Sequence, residues 1–351
     1  MAVSGTVANF GVLDDMRGVA ALLVLLDHAG CVMAGFDLFE RNLLAVQFFF
    51  MLSGFVVACA YENRLRCGMG LGSFLSRRTV RLYPLIVLGS LCGAVALLAT
   101  QPIDADAPGL MRAALLAAVG LPSPEGAFSF GHFPINPPEW SLFFELLANL
   151  AFAIVLARLA TPILLVVSGV LLAIYFCLTF AAWPGPVPFA TELFGAMASF
   201  GIGMAVWRGH STGAFCAPSL PRWLLSACLV MVCAMPTSFG AGFNLAVTAM
   251  LFPLLIAAGA SHGRKGVTGF ASILGELSYP LYILHWPVLL LARVWLPGWM
   301  GTSGNIVLAC LAAVAFAWLA LVLIDRPIRR WATGAMFARP RSIELALDLL
   351  E

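Results

Sequence analysis

The sequence predicts an all-α integral membrane protein, a polytopic bundle of about ten transmembrane helices. Three observations carry that prediction. Of the 351 residues, 62% are hydrophobic, only 10% are charged, and the mean hydropathy is +0.98, whereas about a quarter of residues are charged in a soluble domain. Apolar runs of roughly 20 residues, the length that crosses a hydrocarbon core of about 30 Å, recur between short polar, proline or glycine breaks. The basic residues alternate in phase with those runs. No sizeable soluble domain fits, and a net charge of +2 gives no footing for nucleic acid.

Taken in order, the runs place helices at residues 17–35, 43–61, 80–100, 139–158, 162–182, 191–208, 222–238, 243–260, 273–296 and 304–325. Asp14 and Asp15, not a basic stretch, precede the first run, so it is expected to stay in the mature protein rather than to be cleaved as a signal peptide. The long connection 101–138 is rich in proline and contains an apolar stretch, Leu110 to Leu121, suited to an interface. An even helix count puts both termini on one side. With the termini cytosolic, all of the 19 basic residues except Arg41, Arg112 and Arg293 fall on the inner side. The bundle is expected to occupy residues 1–334, and residues 335–351 to form a cytosolic tail of amphipathic character. The nine cysteines include no C-x-x-C pair and lie mostly in or beside apolar runs, so neither a disulfide framework nor a metal site is expected.

Ionisable groups at membrane depth cost several kcal/mol unless they meet a partner or a wet cavity, so they mark candidate function. Arg17 and His28 are eleven residues apart in the first helix. At 100° per residue they share one face, offset by about 16 Å along the axis. Asp27 points elsewhere and suits packing as well as catalysis. Arg78 and Arg81 project together from the start of the third helix, where an anion could arrive, although such a cluster can equally be a topology anchor. In the fourth helix Ser141 and Glu145 share a face, Glu145 lies below Glu139 toward the bundle interior, and Trp140 stands beside them as a possible interfacial residue. Ser278, Tyr282 and His285 follow the i, i+4, i+7 spacing of one face in the ninth helix, and Pro280 and Pro287 free backbone carbonyls beside it.

Together these stretches resemble the acyltransferase-3 family of membrane acyltransferases, which modify bacterial surface polysaccharides and other sugars. The similarity rests on Arg17 with His28, the run Phe48 to Phe55, Arg78 with Arg81, Trp140-Ser141 with Glu145, Ser278-Tyr279 through His285, and Asp325-Arg326-Pro327. It implies an acyl-CoA donor taken from the cytosol, an acyl group carried through the bundle, and an acceptor hydroxyl on a saccharide or glycan precursor, in a bacterial inner membrane. Some relatives carry a further hydrolase-like domain after the last helix, which is not expected here.

Attack of a hydroxyl on a thioester needs a base and a means of holding the oxyanion. A neutral imidazole suits the base, so His28 is expected in that role. Arg17, Arg78 and Arg81 are expected to hold the phosphates of acyl-CoA, with acetyl-CoA the default donor and no metal. Glu145 is expected to bind acceptor hydroxyls or to orient His28. Trp140, Ser141, Ser278, Tyr282 and His285 are expected around the substrate or oxyanion. A one-step transfer and a route through an acyl-His28 intermediate are both chemically allowed. The rival from another class is a secondary transporter or flippase for a lipid-linked sugar, using the same residues as a relay.

Overall fold

In the computed structural model, which describes residues 10–100, 107–124, 131–182, 189–215, 217–263, 270–296 and 301–337, the secondary structure of the described residues is helical throughout. Among the described residues, eight helices are long and apolar enough to cross a membrane, and the all-α polytopic bundle read from the sequence is the architecture observed. The expected tail 335–351 lies outside the described residues apart from the helical backbone of 335–337, as do Arg264, Lys265, Arg339 and Arg341.

α1 (Gly11–Ala34), α2 (Asn42–Arg66) and α3 (Leu71–Thr100) open the bundle. α1 stops at Gly35, which takes a left-handed φ of 74° and turns its N–H back to Cys31 O, a conformation that a Cβ would disfavour. α3 begins well before the expected residue 80, so Arg78 and Arg81 lie inside a helix rather than at its opening. The polar segment from Leu71 to Arg81 is helical because Tyr61, near the end of α2, and Phe152, far along the chain, pack against Phe74. α4 (Ala107–Ala118) lies in the long connection and packs on α3 through Leu97, Ala113, Ala117 and Ile135.

α5 (Glu139–Ile154) and α8 (Arg222–Cys233) occupy the places of two expected crossings but are shorter. Twelve residues of α8 rise only about 18 Å, and the helix packs on α1 and α2 through Leu225, Leu229 and Cys233. α6 (Thr161–Ala182) and α7 (Phe189–Thr212) form a hairpin-like pair. The span 237–260 is α9 (Gly240–Ala246), a wide π-helical turn Val247–Leu251 and α10 (Phe252–Ala260). A second such turn, Leu321–Asp325, joins α12 (Gly301–Ala320) to α13 (Arg326–Phe337). Each wide turn ends two residues before a proline, Pro253 or Pro327, and so accommodates a ring that would clash with the carbonyl four residues back.

α11 (Phe270–Trp295) is the most buried of the long helices, and α6 and α12 are the least. The outward faces of α6, of α12 and of the wide turn after it carry Ile163, Val166, Val170, Phe180, Leu311 and Leu323, all exposed. Lipid is the solvent that makes such faces stable. Without a hydrophobic drive between helices in lipid, close backbone approach does the packing. A Cβ on Gly54 of α2 would stand 2.0 Å from Phe200 O, and one on Gly203 of α7 only 1.9 Å from Met51 O. Gly203→Ala is therefore expected to lose folded protein, with overpacking costing about 1–3 kcal/mol or more. Gly169→Ala, where a Cβ meets nothing within 4 Å, should be silent. Thermal midpoints in detergent, read by size-exclusion recovery, check both.

Two of the basic residues that helix alternation assigns to one side, Arg66 and Arg208, meet at one end of the bundle. Glu62, on α2, is buried and accepts from Arg66 at 2.8 Å and from Arg208 Nη2, on α7, at 2.6 Å. Arg66 and Arg208 also donate to Ala157 O and Leu159 O. Arg41, expected to face outward on the other side, is at the opposite end but buried. It donates to Met235 O and Pro236 O and to Asn244, so it ties helix ends together rather than meeting solvent.

Candidate active site

Arg17, Arg78, Arg81, Ser141, Glu145, Ser278 and Tyr282 all line one cavity of about 770 Å³, its open mouth included. Five helices supply the wall, because each places a polar residue on an otherwise apolar inward face. α1 gives Arg17, α3 gives Arg78 and Arg81, α5 gives Ser141 and Glu145, and α11 gives Ser278, Tyr279 and Tyr282. α2 adds Phe49 and Ser53. α1 and α11 are pressed together at this level. A Cβ on Gly18 would lie 2.4 Å from Leu274 Cγ, and one on Gly275 would lie 2.6 Å from Asp14 Cβ.

That contact fixes Arg17. Its Nε donates to Ser278 Oγ at 2.8 Å, its Nη2 donates to Gly275 O at 2.7 Å, and Asp14 stands 3.1 Å away. Arg78 is buried, and its Nη2 donates to Glu145 Oε1 at 2.7 Å; the same oxygen accepts from Ser53 Oγ at 2.9 Å. Arg78 Nε has no hydrogen-bond partner among the described residues. Ser141 Oγ and Tyr282 Oη are 2.8 Å apart, and Tyr279 Oη donates to Leu82 O at 2.5 Å. Three guanidinium groups share the wall with Glu145, and Asp14 pairs with Arg17 from behind it, so one positive charge is left over to meet an anion.

His28 is not in that wall. It lies beyond Tyr282, where its Nδ1 is 2.8 Å from His285 Nε2, and Trp286 meets its ring edge-on at 5.3 Å. Tyr282 separates the two regions. Its hydroxyl meets Ser141, while its ring is 5.5 Å from Phe49 and 6.1 Å from His285. The polar stripe on α11 is therefore read by three partners in turn: Ser278 by Arg17, Tyr282 by Ser141 and His285 by His28.

Two expectations are corrected. Glu145 does not orient His28, because Arg78 and Ser53 hold its carboxylate and His285 takes the place beside His28. Trp140 is absent from the cavity wall. It lies about 100° around the helix from Ser141 and packs against Phe50 and Phe144. Asp27 has a structural role: it accepts from Phe39 N–H at 2.8 Å and from Asn42, closing the turn between α1 and α2. Pro287 frees Ile283 O as expected, and Asn136 Nδ2 donates to that carbonyl at 2.8 Å.

Phe49, Ser53 and Tyr279 stand in the runs that carry the family resemblance but have no site role assigned from sequence, and Arg329 is there only a basic residue after the last span. Ser53 carried a signal, as a hydroxyl four residues after Phe49 within an apolar helix. Arg329, paired with Asp325, is close enough to Arg17 and Arg81 for their charges to be felt. In sequence it is only one of a group of arginines after the last span. No group of histidine, cysteine or acidic residues suited to a metal occurs among the described residues.

A family model described as an acyltransferase domain, that of the acyltransferase-3 group, matches residues 11–324. The chain is 38% identical over 190 residues to Protein 2 in picA locus of Rhizobium radiobacter, covering 47% of this chain and 94% of that protein. It is 25% identical over 312 residues to Acyltransferase MdmB of Streptomyces mycarofaciens, covering 80% of this chain and 77% of that one. No solved structure matches the chain.

Proposed function

The chain belongs to the acyltransferase-3 family, and from that premise we propose that this multi-pass membrane acyltransferase moves an acyl group, acetyl by default, from acyl-CoA to a hydroxyl of a saccharide or glycan precursor. The observation that carries the donor half is the convergence of Arg17, Arg78 and Arg81 on one cavity with a single carboxylate. Forked guanidinium donors suit the phosphates of CoA. The pantetheine arm then extends along α1 and α11 toward His28, about 16 Å further along the helix. The acceptor half is supported by the hydroxyls of Ser53, Ser141, Ser278, Tyr279 and Tyr282 around the same space.

His28 acts as the general base. It takes the proton of the acceptor hydroxyl as the oxygen bonds to the acyl carbon; the C–S bond breaks and the proton is returned to the thiolate. Neutral donors along the wall hold the oxyanion. The Arg-rich end of the bundle is the cytosolic one, with both termini there and the membrane a bacterial inner membrane, as the distribution of basic residues favours.

Purified protein is expected to release free thiol from acetyl-CoA in proportion to added saccharide acceptor. Labelled sugar crossing proteoliposomes with no thiol release from any acyl-CoA would instead establish the transporter reading.

A further inference from the structure

We infer that His285 is a positioning residue that fixes His28 as its Nδ1–H tautomer, so that Nε2 of His28 is the atom that takes the acceptor's proton. The inference rests on the reading of His28 as the base.

The argument is a chain of donors and acceptors. Leu281 O can only accept, and His285 Nδ1 lies 3.0 Å from it, so Nδ1 of His285 carries a hydrogen. A neutral imidazole has one N–H, so Nε2 of His285 is an acceptor. That nitrogen is 2.8 Å from His28 Nδ1, which must therefore hold the hydrogen between them. The hydrogen of neutral His28 is thus spent on Nδ1, and Nε2 is left with its lone pair.

Ring geometry agrees. The two centroids are 5.1 Å apart and the planes are inclined by 8°. With nitrogens 2.8 Å apart, that separation corresponds to two rings edge to edge in nearly one plane, the alignment an in-plane lone pair requires. It is not the geometry of rings lying face on face. His285 is fully buried and bonded to its own helix one turn back, so the acceptor it offers is fixed in place. Asp27 and Glu145 are taken up elsewhere, Asp27 by Phe39 N–H and Asn42, and Glu145 by Arg78 and Ser53. When His28 Nε2 takes the hydroxyl proton, the N–H···N bond to His285 becomes charge-assisted and stabilises the imidazolium. The proton then leaves from Nε2 to the thiolate, and His285 keeps its own hydrogen throughout.

The test uses the full-length protein in lipid with 15N-labelled histidine, of which there are five, and His28→Ala to assign the signals. His28 is expected to show a protonated Nδ1 and a bare Nε2. His285→Gln, whose side-chain oxygen accepts, should keep that pattern, and His285→Phe should lose it. Thiol release from acetyl-CoA with a panel of mono- and oligosaccharides provides the second readout. A positioned general base contributes about 10²–10⁴-fold, and a base freed to adopt the wrong tautomer forfeits part of it, so kcat should fall by about 10–100-fold in His285→Phe with KM for acetyl-CoA unchanged, and should return to within about threefold of wild type in His285→Gln. A hydrogen on His28 Nε2 in the wild type overturns the inference, as does a glutamine variant as slow as the phenylalanine one. The expected spectrum with thiol release untouched in His28→Ala overturns the base reading alone.

Discussion

His28→Ala is expected to lower acceptor-dependent thiol release by about 10²–10⁴-fold, the range that a positioned general base contributes, while leaving acetyl-CoA binding within about twofold, because the proposal puts the donor's phosphates a helical stretch away at Arg17, Arg78 and Arg81. The two effects separate because the histidine pair lies beyond Tyr282 and outside the wall of the arginine cavity. Measuring kcat and the acetyl-CoA dissociation constant side by side on folded protein checks this. A variant that loses both together would place donor and base in one pocket. One that keeps its kcat would remove His28 from the chemistry. Labelled acyl-enzyme that forms without acceptor, and vanishes in His28→Ala, would favour the two-step route.

The second large effect concerns a pair whose members should move donor affinity in opposite directions. Arg78 is held by Glu145 at 2.7 Å, so an arriving phosphate competes with a carboxylate already in place. Arg78→Ala removes a charge-assisted donor worth about 2 kcal/mol and should weaken acetyl-CoA binding roughly thirtyfold. Glu145→Gln keeps the shape, frees the guanidinium and should tighten donor binding by about threefold. Damage to the fold would weaken binding in both variants, so the opposite signs are diagnostic. Calorimetry with acetyl-CoA and with dephospho-CoA reads the effect. Unchanged binding in Arg78→Ala would move the anion site elsewhere in the bundle.

Much of the molecule is legible in the sequence because the bilayer restricts what a chain can do. Helix existence follows from apolar length, and the grouping of Arg66, Arg158 and Arg208 at one end follows from alternation. The shared face of Ser278, Tyr282 and His285 follows from 3.6 residues per turn, and each of them meets a partner at the depth its position implies. The polar start of α3 was missed because its helix is stabilised by Phe74 packing on Phe152 and Tyr61, contacts made with other helices. α8 ends at Cys233, short of the expected residue 238, because Pro236 cannot continue the helix and disfavours helical geometry in the residue before it.

The sequence by itself determined the all-α bundle and the helix face on which Ser141 and Glu145, and Ser278, Tyr282 and His285, stand together, since these depend on one helix at a time. Only the tertiary structure decided who meets whom. Glu145 faces inward as its spacing requires, yet whether it finds His28 or Arg78 depends on how α5 is rotated and offset against α1 and α3. His285 pairs with His28 because α11 lies against α1 at the depth set by Gly18 and Gly275. Helical periodicity fixes direction within an element. The axial offset between elements is set by close contacts among residues hundreds of positions apart.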